Sequence, residues 1–192
     1  MRRLCPRVHH PATGPGRGGF TLIELMVVVA LALILITLAG PSIKELLAVQ
    51  RLQNVHATLV TDLQFARAEA VRRRLPLLFN VVSKPAISCY VLYADSMSGS
   101  CDCTKPPGSA CLGSHEELRT VQVLSETGVR MAPANPASAF ASFDKDSGYS
   151  KPGDFSIDIT HSPRGSIRVR LNSAGHVSSC SPDGSVKQLG SC

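Results

Sequence analysis

Asp158, His161 and Ser162 are the one acid, imidazole and hydroxyl that this sequence sets close together. A nucleophilic serine needs a base within hydrogen-bond reach and an acid to orient that base, and the partners normally come from separate elements. Three residues at one strand end read more simply as a polar strand end. Other motifs of enzyme chemistry are missing: there is no Gly-x-Ser-x-Gly, no His-Glu-x-x-His and no phosphate-binding glycine loop. The histidines, at positions 9, 10, 56, 115, 161 and 176, are scattered. The expectation is a chain with no catalytic residue and no cofactor.

Cysteines carry the next chemistry. Apart from Cys5 near the start, they are Cys89, Cys101, Cys103, Cys111, Cys180 and Cys192. An even set of six suggests disulfides if the domain lies outside the cytoplasm, where the apolar run described below would put it, and spacing alone does not choose their connectivity. A zinc site is the rival, but Cys101-x-Cys103 followed by Cys111 lacks the usual two-residue spacing, so no metal is expected. Arg164, Arg168 and Arg170 form a third group. The last two alternate with Ile167, Val169 and Leu171, and with Arg164 in the preceding turn the three lie on one exposed ribbon. They could contact DNA phosphates with a salt-sensitive affinity, although a solvated face or a subunit contact is the preferred reading. Arg72-Arg73-Arg74 complements a helix C-terminal dipole and reads as a solvated helix end.

The elements that must position these groups begin with a long apolar run. Leu25 to Ala39 contains no charge, and Phe20–Gly40 matches the roughly 20 residues that cross a bilayer core. Arg2, Arg3, Arg7 and Arg17 precede it with no acid among them, and they supply most of the net charge of +6. That placement keeps the N-terminus cytoplasmic, and the basic balance does not imply affinity for nucleic acid. A cleaved secretory signal ending near Thr37-Leu38-Ala39 is the alternative. Pro41 can kink the chain. Beyond it Leu52, Val55, Leu59, Leu63, Ala66 and Ala70 recur at helical spacing, with Arg51, Gln53, Asp62, Gln64, Arg67, Glu69 and Arg73 on the other faces. Glu69 and Arg73 form a favourable i,i+4 pair. The helix should stop near Arg74, because Leu75 precedes Pro76.

From Leu77 the period becomes two. Strands are expected at 77–83, 87–94, 118–125, 129–132, 155–160, 166–171 and near 176–180, with 95–117 and 133–153 as loops. The fold class is α+β: a long N-terminal helix, its first half transmembrane, packed on an antiparallel β-sandwich-like domain with disulfides. The divisions are 1–19, 20–40, 41–75 and 76–192.

Gly19-Phe20-Thr21-Leu22-Ile23-Glu24, between a basic leader and a long apolar helix, resembles the processing motif of type IV prepilins and pseudopilins. The stretch LVTDLQFARAEAVRR at 59–73 resembles the GspH/FimT branch, which includes type II secretion protein H and FimT-type minor pilins. The resemblance implies that residues 1–19 are a leader, cut after Gly19 by a membrane prepilin peptidase, and that Phe20 is then N-methylated. It makes Glu24 the assembly residue, pairing with the N-terminal amine of a neighbouring subunit. It implies other pilins or pseudopilins and an inner-membrane assembly platform as partners. The chain would be a single-pass inner-membrane protein with its C-terminal domain in the periplasm, entering a pseudopilus or pilus tip. Pairing of Cys180 with Cys192 would staple the tail much as in pilins, and Cys89 with the 101, 103 and 111 cluster would staple the long loop. Some FimT-type pilins bind DNA through Gly-Arg-x-Arg; here that place reads Gly175-His176-Val177-Ser178, without either arginine.

Overall fold

Apolar spacing of three and four, followed by alternation, produces one long helix and then eleven strands among the described residues of the computed structural model. The structure describes residues 19–94 and 99–192; the expected leader residues 1–18, with Cys5 and the four early arginines, lie outside them. The chain divides into two units between Ile43 and Lys44.

Helix α1 runs over Leu22–Arg73 and includes Pro41, whose side chain lies outside the described ones. In the first unit every described side chain from Phe20 to Thr37 is exposed, on all faces of the helix. Among the described residues no helix is long and apolar enough to cross a membrane.

In the second unit α1 buries Leu52, Leu59, Leu63, Ala66 and Ala70, the helical stripe read from sequence. Its end is a Schellman turn: Leu75 N–H bonds the Ala70 carbonyl, Arg74 N–H bonds the Val71 carbonyl, and Arg74 takes φ 54°. An arginine therefore occupies the left-handed position that usually falls to glycine.

The turn sends the chain into β1 (Leu77–Ser83) and β2 (Ile87–Ala94), followed by β3 (Gly99–Cys101), β4 (Cys111–Gly113), β5 (Glu116–Leu124) and β6 (Val129–Pro133). The remainder is β7 (Phe140–Phe143), β8 (Ser150–Lys151), β9 (Asp154–His161), β10 (Gly165–Asn172) and β11 (Val177–Cys180). One antiparallel sheet has the order β5-β2-β1-β7-β8 and a second the order β11-β10-β9-β6, with β3-β4 as a separate ribbon. Alternation fixes their faces. Phe79 and Val81 of β1, Ile157 and Ile159 of β9 and Ile167 and Val169 of β10 share one core with the α1 stripe. Phe79 stacks on Tyr90 at 4.9 Å and meets Phe155 edge-on at 5.9 Å.

Two expectations need correction. The segments read as loops contain β3, β4, β7 and β8 and the start of β5. These strands are two to four residues long, apart from β5, so no alternation is visible in them; pairing to a neighbour makes them, as β7 pairs with β1 through Leu77–Phe143. Asp62 and Glu69, placed on the polar side of the helix, are buried. Their charges are met from outside the helical stripe, as described below.

Three disulfides join Cys89 to Cys103, Cys101 to Cys111 and Cys180 to Cys192. The first two fasten the 101–113 segment over the outer face of β2, where Cys89, Val91 and Tyr93 form a small second core with Cys101, Cys103 and Ala110. Strand β2 is consequently buried on both sides. The third ties down a tail whose Val186 and Leu189 pack on the main core.

Arg74→Gly should relieve the left-handed strain at the helix end. The expected gain is about 1 kcal/mol, or a rise of about 3 °C in thermal midpoint by circular dichroism; an unchanged or lower midpoint contradicts the assignment.

Candidate functional site

Thr21 begins the helix chemistry. It precedes the first helical residue, and its hydroxyl accepts the Glu24 N–H at 3.3 Å. Thr-x-x-Glu at a helix start is capping-box spacing, a local signal that the sequence reading passed over. Glu24 thus sits in the first turn, where the helix dipole favours an acid. Gly19 and Phe20 lie just before the helix and are exposed, Phe20 by 84 %. The N-terminal residues singled out from sequence, Gly19, Phe20 and Glu24, therefore form one continuous exposed segment.

Asp62 is the most deeply buried acid of the second unit, with no exposure. Tyr90 Oη donates to its Oδ2 at 2.7 Å, and Arg119 forms an ion pair with its Oδ1. Burial, followed by this hydrogen bond to a carboxylate, raises the Tyr90 phenol far above its ordinary range. Arg119 also lies over the Phe65 ring, 5.4 Å from the centroid. Two turns of helix further on, Glu69 accepts from both Arg72 and Arg73, and Arg73 reaches on to Glu116 of β5 at 2.8 Å. Hydrogen bonds from Arg72 and then Arg73 pull the Glu69 carboxyl from 4.5 down to about 2. On the other side of α1, His56 Nε2 lies 2.8 Å from Ser179 Oγ of β11, and burial lowers its pKa. The helix is thus tied to an edge strand of each sheet. Sequence reasoning missed this because Asp62, Tyr90 and Arg119 belong to three elements, and no local spacing joins them.

The three arginines considered for DNA are not equivalent. Arg168 makes a two-pronged pair with Asp158 at 2.7 and 2.8 Å, and Arg164 pairs with Glu45 at 2.7 Å. Arg170 is exposed on the same ribbon. The pairing that occupies Asp158 also removes it from His161, whose Nδ1 is buried with no hydrogen-bond partner. His161 fills the space above Gly128, where a Cβ would lie 2.8 Å from Nε2. Asp158, His161 and Ser162 do not form a triad. Among the described residues no group of three His, Cys, Asp or Glu is placed to hold a metal.

Two measurements test this polar frame. Arg119→Ala strands a fully buried carboxylate and should cost about 3 kcal/mol in urea unfolding, against about 2 for Asp62→Ala, which strands a neutral phenol and a guanidinium that reaches water; a reversed order contradicts the assignment. Because the Glu69 carboxyl is lowered on folding, its stabilisation is present above pH 4.5 and is lost as pH falls toward 2. Thermal midpoints should therefore fall less steeply across that window in Glu69→Gln than in the parent chain.

Residues 57–175 match the family model of type II transport protein GspH, and residues 15–40 match the prokaryotic N-terminal methylation motif. The crystal structure of the Pseudomonas aeruginosa type IV minor pilin FimU is 17% identical, with a TM-score of 0.49, covering 67% of this chain and 87% of that one. The minor pseudopilin EpsH of the Vibrio cholerae type 2 secretion system is 12% identical, with a TM-score of 0.44, covering 68% and 97%. No curated protein matches the chain. The GspH model spans most of α1's second half and the strands as far as the β10–β11 turn, and the methylation motif falls on the capped start of the helix; the chain belongs to the GspH family of type II transport proteins.

Proposed function

We propose that this chain is a minor pseudopilin: a non-catalytic subunit that enters the pseudopilus of a type II secretion system or the tip of a type IV pilus. The observation that carries the reading is the methylation motif at 15–40 standing at the start of the same helix that forms the spine of the GspH domain. Residues 1–19 are a leader removed after Gly19 by a prepilin peptidase. Phe20 becomes the methylated N-terminus. Residues 20–40 anchor the subunit in the inner membrane with its N-terminus cytoplasmic, 41–75 continue the helix, and 76–192 form the periplasmic domain.

Two physical arguments support it. From Leu25 to Ile36 the described side chains of the helix are apolar and exposed on every face, and such a segment needs a nonpolar surrounding, whether lipid or neighbouring helices. Three disulfides suit an oxidising compartment rather than the cytoplasm. Glu24 then has two roles. It favours the helix start in the monomer, and in the filament it pairs with the amine of a neighbour's Phe20, which sets the axial register between subunits. The other partners are fellow pilins and an inner-membrane assembly platform.

The test is co-expression with a prepilin peptidase, followed by intact mass of the membrane-bound chain. A mature chain beginning at Phe20 with one added methyl group is expected, and Gly19→Val should retain the leader. Glu24→Gln should be cut normally yet enter filaments poorly, because it loses the charge while keeping the helix. A soluble mature chain beginning after Ala39 would overturn the reading.

A further inference from the structure

The β7–β8 and β10–β11 turns meet α1 near its C-terminal end and leave a groove of about 520 Å³. Arg67 lies along it, half-buried, with Val71 and Val177 as apolar lining and Ser147 and His176 at its edge. Two buried glycines in left-handed backbone, Gly148 at φ +67° and Gly175 at φ +74°, shape the walls. A Cβ on Gly148 would come 3.1 Å from Arg67 Cγ. One on Gly175 would come 2.5 Å from the Gly148 carbonyl oxygen and 3.0 Å from Arg67 Nε. Only bare backbone at both places lets the arginine stem pass between the turns.

Arg67 differs from the other half-buried arginines of this unit, Arg73 and Arg168. Arg72, Arg73, Arg119, Arg164 and Arg168 each face a carboxylate. Arg67 has neither a hydrogen bond nor an ion pair among the described residues. Asp144, at the start of one wall, already accepts the N–H groups of Asp146 and Ser147. A held guanidinium without an anion, in a groove with apolar lining, is complementary to a carboxylate flanked by apolar side chains.

We propose that this groove receives an aspartate or glutamate of a neighbouring subunit, which pairs with Arg67 while its flanking apolar residues cover Val71 and Val177. The proposal rests on the assembly reading and names the chemistry of one contact in it. Nucleic acid fits less well, because a phosphate track calls for several cations, and Arg67 is the one arginine or lysine among the groove's lining residues.

The test uses the full chain in non-ionic detergent and a fluorescein-labelled peptide of alternating Leu and Glu, read by fluorescence anisotropy. Saturable binding is expected, weakened about tenfold by exchanging Glu for Gln in the peptide and about as much by Arg67→Gln. Arg170→Gln, outside the groove, should leave it unchanged, and duplex DNA should not compete. If Arg67→Gln fails to show a cooperative melt, Ala68→Glu places a repelling carboxylate at an exposed groove position and should abolish binding instead. Absence of saturable binding, binding indifferent to both variants, or Arg67-dependent preference for DNA would each overturn the proposal. The assay needs no filament, so failure of subunit assembly and failure of the groove are read separately.

Discussion

A carboxylate with no exposure to water has to be answered inside the protein, and Asp62 on α1 is answered from two strands at once. Tyr90 comes from β2 and Arg119 from the neighbouring β5. Apolar side chains tolerate rotation or a small slide of a helix, since oily contact is not directional. A buried acid with two fixed donors does not. It selects one rotation and one height of α1 against the five-stranded sheet. Glu69 with Arg73 and Glu116 repeats the constraint further along, and His56 with Ser179 applies it on the other sheet. A helix that links an exposed apolar half to a folded domain is thereby held by polar contacts as well as by packing.

The disulfide-bound segment acts on the same sheet from outside. Strand β2 carries Tyr90 and Leu92 toward the helix and Cys89, Val91 and Tyr93 toward the 101–113 segment. An exposed outer face here would put Val91 and Tyr93 into solvent. Covering them with a stapled flap turns a one-sided sheet into a locally two-sided one. It also leaves β2 with no solvated face, which is more typical of central strands in layered folds.

Much of this was legible residue by residue. The stripe from Leu52 to Ala70, the end of the helix before Pro76 and the alternation in β9 and β10 follow from periodicity, because one face of each is wet and the other dry. The loop-like segments were not legible, because strands of two to four residues such as β4 and β8 have no room to alternate and exist through their partners. Asp62 was misplaced for a related reason. Polarity patterns assign a charge to water, and only a three-dimensional meeting with Tyr90 and Arg119 overrides that. The capping role of Thr21 has a local signal, Thr-x-x-Glu, but those same residues also belong to the processing motif, so their spacing alone carries two meanings. The groove around Arg67 depends on two turns far apart in sequence, joined only when the β10–β11 hairpin approaches β8, as Ser150 N–H bonding the Ser173 carbonyl records.

The two disulfides of the flap cross in sequence: Cys89 passes over Cys101 to reach Cys103, and Cys101 passes over Cys103 to reach Cys111. Exchanging Cys101 for Cys103 gives a rival pairing in which each loop is shorter by two residues, and chain entropy favours that rival by about 0.3 kcal/mol. Nothing in the unfolded chain therefore selects the native bonds. Selection comes from the β3–β4 ladder, which sets Cys101 opposite Cys111, and from the packing that draws Cys103 under β2. The oxidant that closes this flap must then act on a sheet already in place or leave its errors open to exchange, and the flap serves as a covalent record of whether the sheet beneath it formed first.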